Sequence, residues 1–242
     1  MLTEVIDKSY NVFAKYNPTR PLDICTDCCM TAEDEQRLAE FQVRMIPKDL
    51  LAEYNDGAKT DKPRIEEVKH FLPRYLDLVG QFEFPSHSAE LSFSRLIHLD
   101  KLQWTTEEFE LLDQFSTEYF KHCLSIYPLP SSDLHIDTII IMLWKAGFNI
   151  EKLLENWKNI KTRESILHFR DLYFYSFKNH NFSRLINVFG DHVLAGILGS
   201  WLEMFEIRQN FALILEKVII LENDLDDKDA NDLNVLYECI KN

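Results

Sequence analysis

Three cysteines near the start of the chain are the residues best placed to do chemistry: Cys25, Cys28 and Cys29. Thiolates separated by two residues are typical of half a zinc site, which requires four nitrogen or sulfur ligands. The sequence offers no second half, because Cys123 and Cys239 are single residues on predicted helices. A redox pair is another interpretation, although the βαβ pattern that usually surrounds such a pair is missing. We favour a third interpretation, a loop whose small thiols pack against the core, and therefore predict no metal site and no cofactor.

The histidines offer no clear catalytic arrangement. His98 and His135 are each followed two residues later by an aspartate, Asp100 and Asp137. Residues two apart on a helix point to different faces, so neither pair could share a metal ion. The sequence also lacks a His-Glu-x-x-His motif and a serine in a strand–turn–helix elbow. We therefore expect hydrogen-bonded or exposed histidines and predict no catalytic residue.

The densest negative charge lies in the segment 222–232. This segment resembles a calcium-binding loop only superficially, because the glycine that such a loop requires is absent. One interpretation is a solvated connector between helices. The other is a negative patch that attracts a basic protein partner. The predicted partner-binding residues are Asp224, Asp226, Asp227, Asp229 and Asp232.

Helices must position these groups, because apolar residues recur every three or four positions along most of the chain. Only 6 of the 242 residues are glycine, which argues against tight hairpins and phosphate-binding loops. Thr31 is predicted to cap one helix, and Thr105 and Glu108 form a predicted capping box. The segment 133–146 is apolar on nearly every side and ends at Gly147. It predicts a central buried helix, with a buried strand as the competing interpretation.

The predicted fold is all-α, an irregular stack of antiparallel helical hairpins with about ten helices. We expect a single helical domain over residues 1–242, with a subdomain boundary near 127–132, where two prolines interrupt the pattern. The periodicity also predicts helices over 88–99 and 184–189. Gly196 and Gly199 are expected to let two helices approach closely.

A four-residue segment in the first half is predicted to be structural: Phe71, Leu72, Pro73 and Arg74. Phe71 and Leu72 belong to an apolar stripe, which implies burial. Proline within a helix removes a hydrogen bond, so we expect a kink or a restart at Pro73. Arg74 could then bind the carbonyl groups left unpaired by the bend.

The order of these first-half features resembles a family of uncharacterised, mostly helical bacterial proteins. The resemblance depends on the Cys-containing loop, on Tyr54 and Ala58 in a Leu…Tyr…Ala segment, and on Phe71 to Arg74 followed by Leu-x-Leu. It covers roughly residues 5–80. It implies a helical fold, supplies no catalytic residues, and suggests immunity proteins of polymorphic toxin systems.

Charge and composition narrow the function further. Asp and Glu number 40 and Lys and Arg 26, which gives a formal net charge of −14. Such a balance disfavours nucleic acid and anionic membrane surfaces, both of which attract basic proteins. The chain has five cysteines without a disulfide-like spacing and no apolar run of ~20 residues. Acidic residues stand where a signal peptide would be positive, so we expect none. We therefore expect a cytoplasmic location.

The function predicted from these features is protein binding rather than catalysis. Most concretely, we expect an immunity protein that blocks a cognate, basic bacterial toxin by occlusion with an acidic surface. The alternatives are a metal-dependent or small-molecule enzyme in a helical scaffold that uses Cys25 and Cys28, and a helical adaptor module.

Overall fold

A computed structural model of the chain describes residues 1–59, 64–96, 103–221 and 227–241. Across these ranges it contains eleven α-helices and no β-strand, which confirms the all-α prediction of about ten helices. The helices are α1 (Leu2–Val12), α2 (Ala32–Glu40), α3 (Lys48–Asp56), α4 (Ile65–Gly80), α5 (Thr106–Leu124), α6 (Ile136–Lys145), α7 (Ile150–Trp157), α8 (Arg163–Tyr175), α9 (His192–Glu203), α10 (Phe205–Leu221) and α11 (Asp227–Ile240).

The predicted helix boundaries with side-chain caps are confirmed. The Thr31 hydroxyl accepts a hydrogen bond from the Asp34 amide at 3.0 Å. Before α5, the Thr105 amide donates to the Glu108 carboxylate at 3.0 Å, and the Glu108 amide donates to the Thr105 hydroxyl at 3.3 Å. Gly147 follows α6 with a φ of 83°, a conformation that glycine adopts without steric cost. Local sequence therefore determines these ends.

The helix interpretation of the apolar segment 133–146 is also confirmed. Within α6, the five consecutive residues 139–143 are all buried. A helix can be apolar on every side only when its whole circumference is covered. This agrees with the prediction of a buried helix and excludes the competing strand.

The predicted helix over 88–99 is wrong for the residues that the structure describes. They form one 3₁₀ turn, Ala89–Leu91, followed by further turns up to residue 96. Ser88 donates to Glu90 two residues further on, and such local hydrogen bonds compete with a helix. Ser94 donates to the Asn55 side chain on α3 at 3.2 Å, a contact between residues 39 positions apart in the chain.

The predicted helix over 184–189 is likewise a loop. The side-chain oxygen of Asn181 accepts from the Ser183 amide at 3.0 Å, and that of Asn187 accepts from the Phe189 amide at 3.0 Å. In such a turn, the asparagine side chain accepts from the amide two residues further on, and this hydrogen bond takes the place of a helical one.

Two expectations about helix breakers need partial correction. Of the kink or restart expected at Pro73, the restart does not occur, because α4 continues through this residue. Gly199 does allow a close approach, but its neighbour is the loop residue Phe182 rather than a second helix. A Cβ on Gly199 would lie 2.7 Å from the Phe182 carbonyl oxygen, whereas a Cβ on Gly196 would meet nothing within 4 Å.

The chain forms two compact units. The first comprises residues 1–119 and 142–149. In this unit α1 packs on α4, and α2 packs on α3. Phe115 and Tyr119 stack with ring centroids 5.6 Å apart, and Phe93 contacts Phe148 edge-on at 6.1 Å. Aromatic side chains of this size supply much of the apolar area buried in a core.

The second unit comprises residues 120–141 and 150–242. In its described part, α8, α10 and α11 pack on one another, and α9 packs on α10. Four aromatic residues form its centre, with Phe169 stacked on Phe211 at 3.8 Å and Trp157 stacked on Trp201 at 5.4 Å. Among the described residues, no helix is both long and apolar enough to cross a membrane.

Candidate functional site

The three cysteines of the N-terminal loop lie together in space. The Sγ atoms of Cys25 and Cys28 are 3.4 Å apart, as are those of Cys28 and Cys29, and all three lie within 4.8 Å of one another. We call these residues the thiol triad. Cys28 is exposed, and the other two are half-buried. Within the described ranges, no other group of three or more His, Cys, Asp or Glu side chains converges in this way.

A backbone hydrogen bond reaches the triad from another part of the chain. The Ala58 amide donates to the Cys29 sulfur at 3.3 Å. The Cys25 amide in turn donates to the Ala58 carbonyl at 2.9 Å, which ties the loop to the segment after α3. The Asp27 amide, followed by the Cys28 thiol and amide, lowers the pKa of Cys25.

A buried carboxylate, Glu35, anchors the chain just before the triad. It accepts hydrogen bonds from the Leu22 amide at 2.8 Å and from Arg20 at 2.7 Å. Burial alone would raise the pKa of Glu35, but these two partners hold it below its usual range. A carboxylate that is buried and hydrogen-bonded fixes the backbone that it binds.

A second buried carboxylate, Glu67 on α4, holds the next residue of the loop. The Asp23 amide donates to it at 3.0 Å, and the Tyr54 hydroxyl donates at 2.6 Å. The buried guanidinium of Arg95 donates to the Asp23 carbonyl at 3.0 Å and lies 3.6 Å from the centre of the Tyr54 ring. The loop that carries the triad is therefore fixed from α2, α3 and α4.

These anchoring residues were not predicted from the sequence. Glu67 and Tyr54 fall within the segments that carry the family resemblance, but the pairing of Glu67 with Asp23 spans 44 residues. Glutamate in an amphipathic helix usually faces solvent, so its identity alone gives no sign of burial. The one available signal was the position of Glu67 next to Val68 on the apolar stripe of α4.

The segment predicted to be structural, residues 71–74, lies mostly in the core of the first unit. Phe71, Leu72 and Pro73 are buried in the first unit. Arg74 binds a carbonyl group, but that group belongs to Ile46, outside α4, and accepts from Nε at 2.8 Å. The guanidinium also contacts Asp77 at 3.1 Å. Arg74 thus links α4 to the segment before α3 and does not bind a carbonyl group of α4 itself.

The predicted partner-binding acids have different surroundings. Asp224 and Asp226 lie outside the described residues. The backbone of Asp227 begins α11. Asp229 forms an ion pair with buried Arg170, and Asp232 accepts from the Tyr175 hydroxyl at 2.9 Å. The carboxylates of Asp229 and Asp232 therefore have partners within the second unit.

Three of the histidines that we predicted to be hydrogen-bonded or exposed have clear surroundings. A ring nitrogen of His70 lies 2.7 Å from the Tyr16 carbonyl oxygen, and one of His168 lies 2.8 Å from the Ile126 carbonyl oxygen. Burial lowers the pKa of both rings. Exposed His87 contacts Asp56 at 3.0 Å. These contacts fit structural roles.

Exposed apolar side chains are concentrated in one part of the second unit. Of the eleven large apolar residues exposed in the described ranges, six lie between 186 and 213. We call these six the apolar surface: Ile186, Val188, Val193, Met204, Phe205 and Leu213. Two lie on the loop 177–191, one on α9, one between α9 and α10, and two on α10. The loop contacts α9 at Gly199, and α9 packs on α10. The sequence alone does not reveal these exposed positions, because the type of an apolar residue is the same whether it faces solvent or the core.

Comparison with protein-family models, with curated proteins and with solved structures yields no match for this chain.

Proposed function

We propose that this chain is a protein-binding neutraliser, an immunity protein that blocks a basic bacterial toxin by covering part of its surface. The observation that carries the proposal is the apolar surface of the second unit. Phe205 is 71% exposed and Val188 is 89% exposed, so their burial against a partner would be strongly favourable. Large exposed apolar patches commonly mark protein interaction sites.

The charge around this surface supports a basic partner. Glu203 and Glu206 are exposed on either side of Met204 and Phe205, and Asp191 is exposed before α9. The whole chain carries a formal charge of −14. An acidic protein attracts a basic partner over distance and thereby raises the association rate, while apolar anchors slow dissociation. The acids of segment 222–232 keep their predicted role in this attraction, and the apolar surface supplies the contact.

The test uses the basic protein encoded beside the gene for this chain, produced with an inactivating substitution. The wild-type chain should bind it with 1:1 stoichiometry in calorimetry, and should restore growth of cells that express the active toxin. Phe205→Glu should weaken binding at least about 30-fold, the effect of losing one central aromatic anchor.

The matched control is Phe109→Glu on α5, which replaces another exposed phenylalanine in the first unit. It should bind like the wild type. Replacement of Asp224 and Asp226 by Asn should lower the association rate at low salt and leave dissociation unchanged. The proposal is wrong if no neighbouring basic protein binds, or if the two Phe variants lose affinity equally.

A further inference from the structure

We propose that the thiol triad binds one Zn²⁺ ion through the sulfur atoms of Cys25, Cys28 and Cys29, with the fourth coordination position open to solvent. This site is independent of the toxin-binding surface proposed above. It also revises the expectation of no metal site, because the sequence could not reveal that three sulfur atoms converge.

The sulfur positions fit the geometry of zinc. Zinc–sulfur bonds are about 2.3 Å long in a tetrahedral arrangement, so bound sulfur atoms lie about 3.8 Å apart. In the triad, the neighbouring sulfur atoms are 3.4 Å apart and all three lie within 4.8 Å. Small movements of flexible side chains would therefore complete three of the four corners.

The surrounding backbone favours thiolates. The Ala58 amide donates to the Cys29 sulfur at 3.3 Å. Hydrogen-bond donors to metal ligands orient the ligands and balance their charge.

The loop is also rigid enough to present a site. Glu35 and Glu67 hold the amides of Leu22 and Asp23, immediately before the triad. A site whose backbone is fixed before the ion arrives loses less conformational entropy on binding. Cys28 is exposed, and no fourth His, Cys, Asp or Glu of the described residues joins the group, so the remaining position faces water.

The experiment measures zinc uptake by the full chain after reduction and removal of metal. Addition of Zn²⁺ alone should give 1:1 binding in calorimetry and in elemental analysis after gel filtration. Titrations in buffers with different ionisation enthalpies should reveal proton release, because thiols must ionise to bind. Co²⁺ in place of Zn²⁺ should give the sulfur-to-metal charge-transfer absorption of thiolate ligation.

Cys28→Ser should lower zinc affinity by more than about 100-fold, since even outer hydrogen-bond partners of a metal site are worth 10–100-fold. Cys239→Ser is the matched control, because it removes another exposed thiol from α11. It should bind zinc like the wild type. Thermal melts of both metal-free variants should match that of the metal-free wild type, because both positions are exposed.

Two results would overturn the proposal. The first is zinc uptake that is equal in the wild type and in Cys28→Ser, or is absent from both. The second is a Cys25–Cys28 disulfide that persists in a glutathione buffer and excludes zinc, which would assign the triad to redox chemistry.

Discussion

At the scale of single residues, the first unit depends on buried charges that hydrogen-bond across long stretches of sequence. The clearest case is Glu108 on α5, which is fully buried and 2.6 Å from the ammonium group of Lys69 on α4. Its carboxylate also accepts from the Tyr16 hydroxyl at 2.5 Å. Breaking a buried pair of this kind leaves an uncompensated charge and typically costs about 3–5 kcal/mol.

This ion pair predicts how stability depends on pH. Burial would raise the pKa of Glu108, but Lys69, Tyr16 and the Thr105 amide lower it from the ordinary 4.5 to about 2. The unfolded chain therefore takes up this proton first. The stabilisation is fully present above about pH 5 and is lost as the pH falls toward 2.

Denaturant unfolding at a series of pH values measures this dependence. Glu108→Gln should lower the free energy of unfolding at pH 7 and flatten its decline below pH 5. Glu110→Gln, at an exposed position on the same helix, should keep the wild-type slope. An equally steep decline in Glu108→Gln would assign the acid sensitivity to other groups.

Arg74 gives a second prediction at this scale. Arg74→Ala removes the partner of the Ile46 carbonyl and one partner of Asp77. We expect a loss of about 1–3 kcal/mol, since a buried carbonyl is left without its donor. For a chain of this size that corresponds to a melting temperature lowered by roughly 2–4 °C per kcal/mol.

Arg37→Ala is the control for this measurement, because Arg37 forms an exposed ion pair with Asp34 three residues away in α2. Exposed pairs contribute little, so its melting temperature should change by less than about 1 °C. Equal shifts in the two variants would show that Arg74 has no special structural role.

At the scale of elements, the sequence predicts the features that are determined by residues close together in the chain. Helix starts at Thr31 and Thr105 depend on side chains within three residues of the amides that they bind. The apolar circumference of α6 is likewise visible in a short window. For the described residues, the helices predicted over 88–99 and 184–189 were wrong because apolar spacing alone does not account for polar side chains that form hydrogen bonds there, such as that of Asn187 with the Phe189 amide.

The glycines of α9 give a prediction for this scale. Gly199→Ala should destabilise the second unit by about 1–3 kcal/mol, because the added methyl group collides with the Phe182 backbone. Gly196→Ala, one turn earlier in open space, should stabilise it by about 0.5–1 kcal/mol through lower chain entropy in the unfolded state. Denaturant midpoints of the two variants should therefore shift in opposite directions. Two shifts of the same sign would mean that the loop does not press on α9 at this position.

At the scale of the whole molecule, only part of the candidate site could be predicted from the sequence. The close spacing of Cys25, Cys28 and Cys29 is evident in the sequence. The hydrogen bond from the Ala58 amide to the Cys29 sulfur joins residues 29 positions apart and is not evident there. The apolar surface has no sequence signature at all, since exposure depends on which side of a helix its neighbours cover. Long-range packing therefore decides both the metal site and the contact surface that we propose.

The positions of the tryptophans have a practical consequence. Trp157 and Trp201 stack inside the second unit, whereas Trp104 and Trp144 belong to the first. Intrinsic fluorescence therefore carries a separate signal from each unit, and single Trp→Phe replacements can assign the emission without an added dye. Superimposable transitions from the two pairs would identify one cooperative folding unit, and separated transitions would identify two.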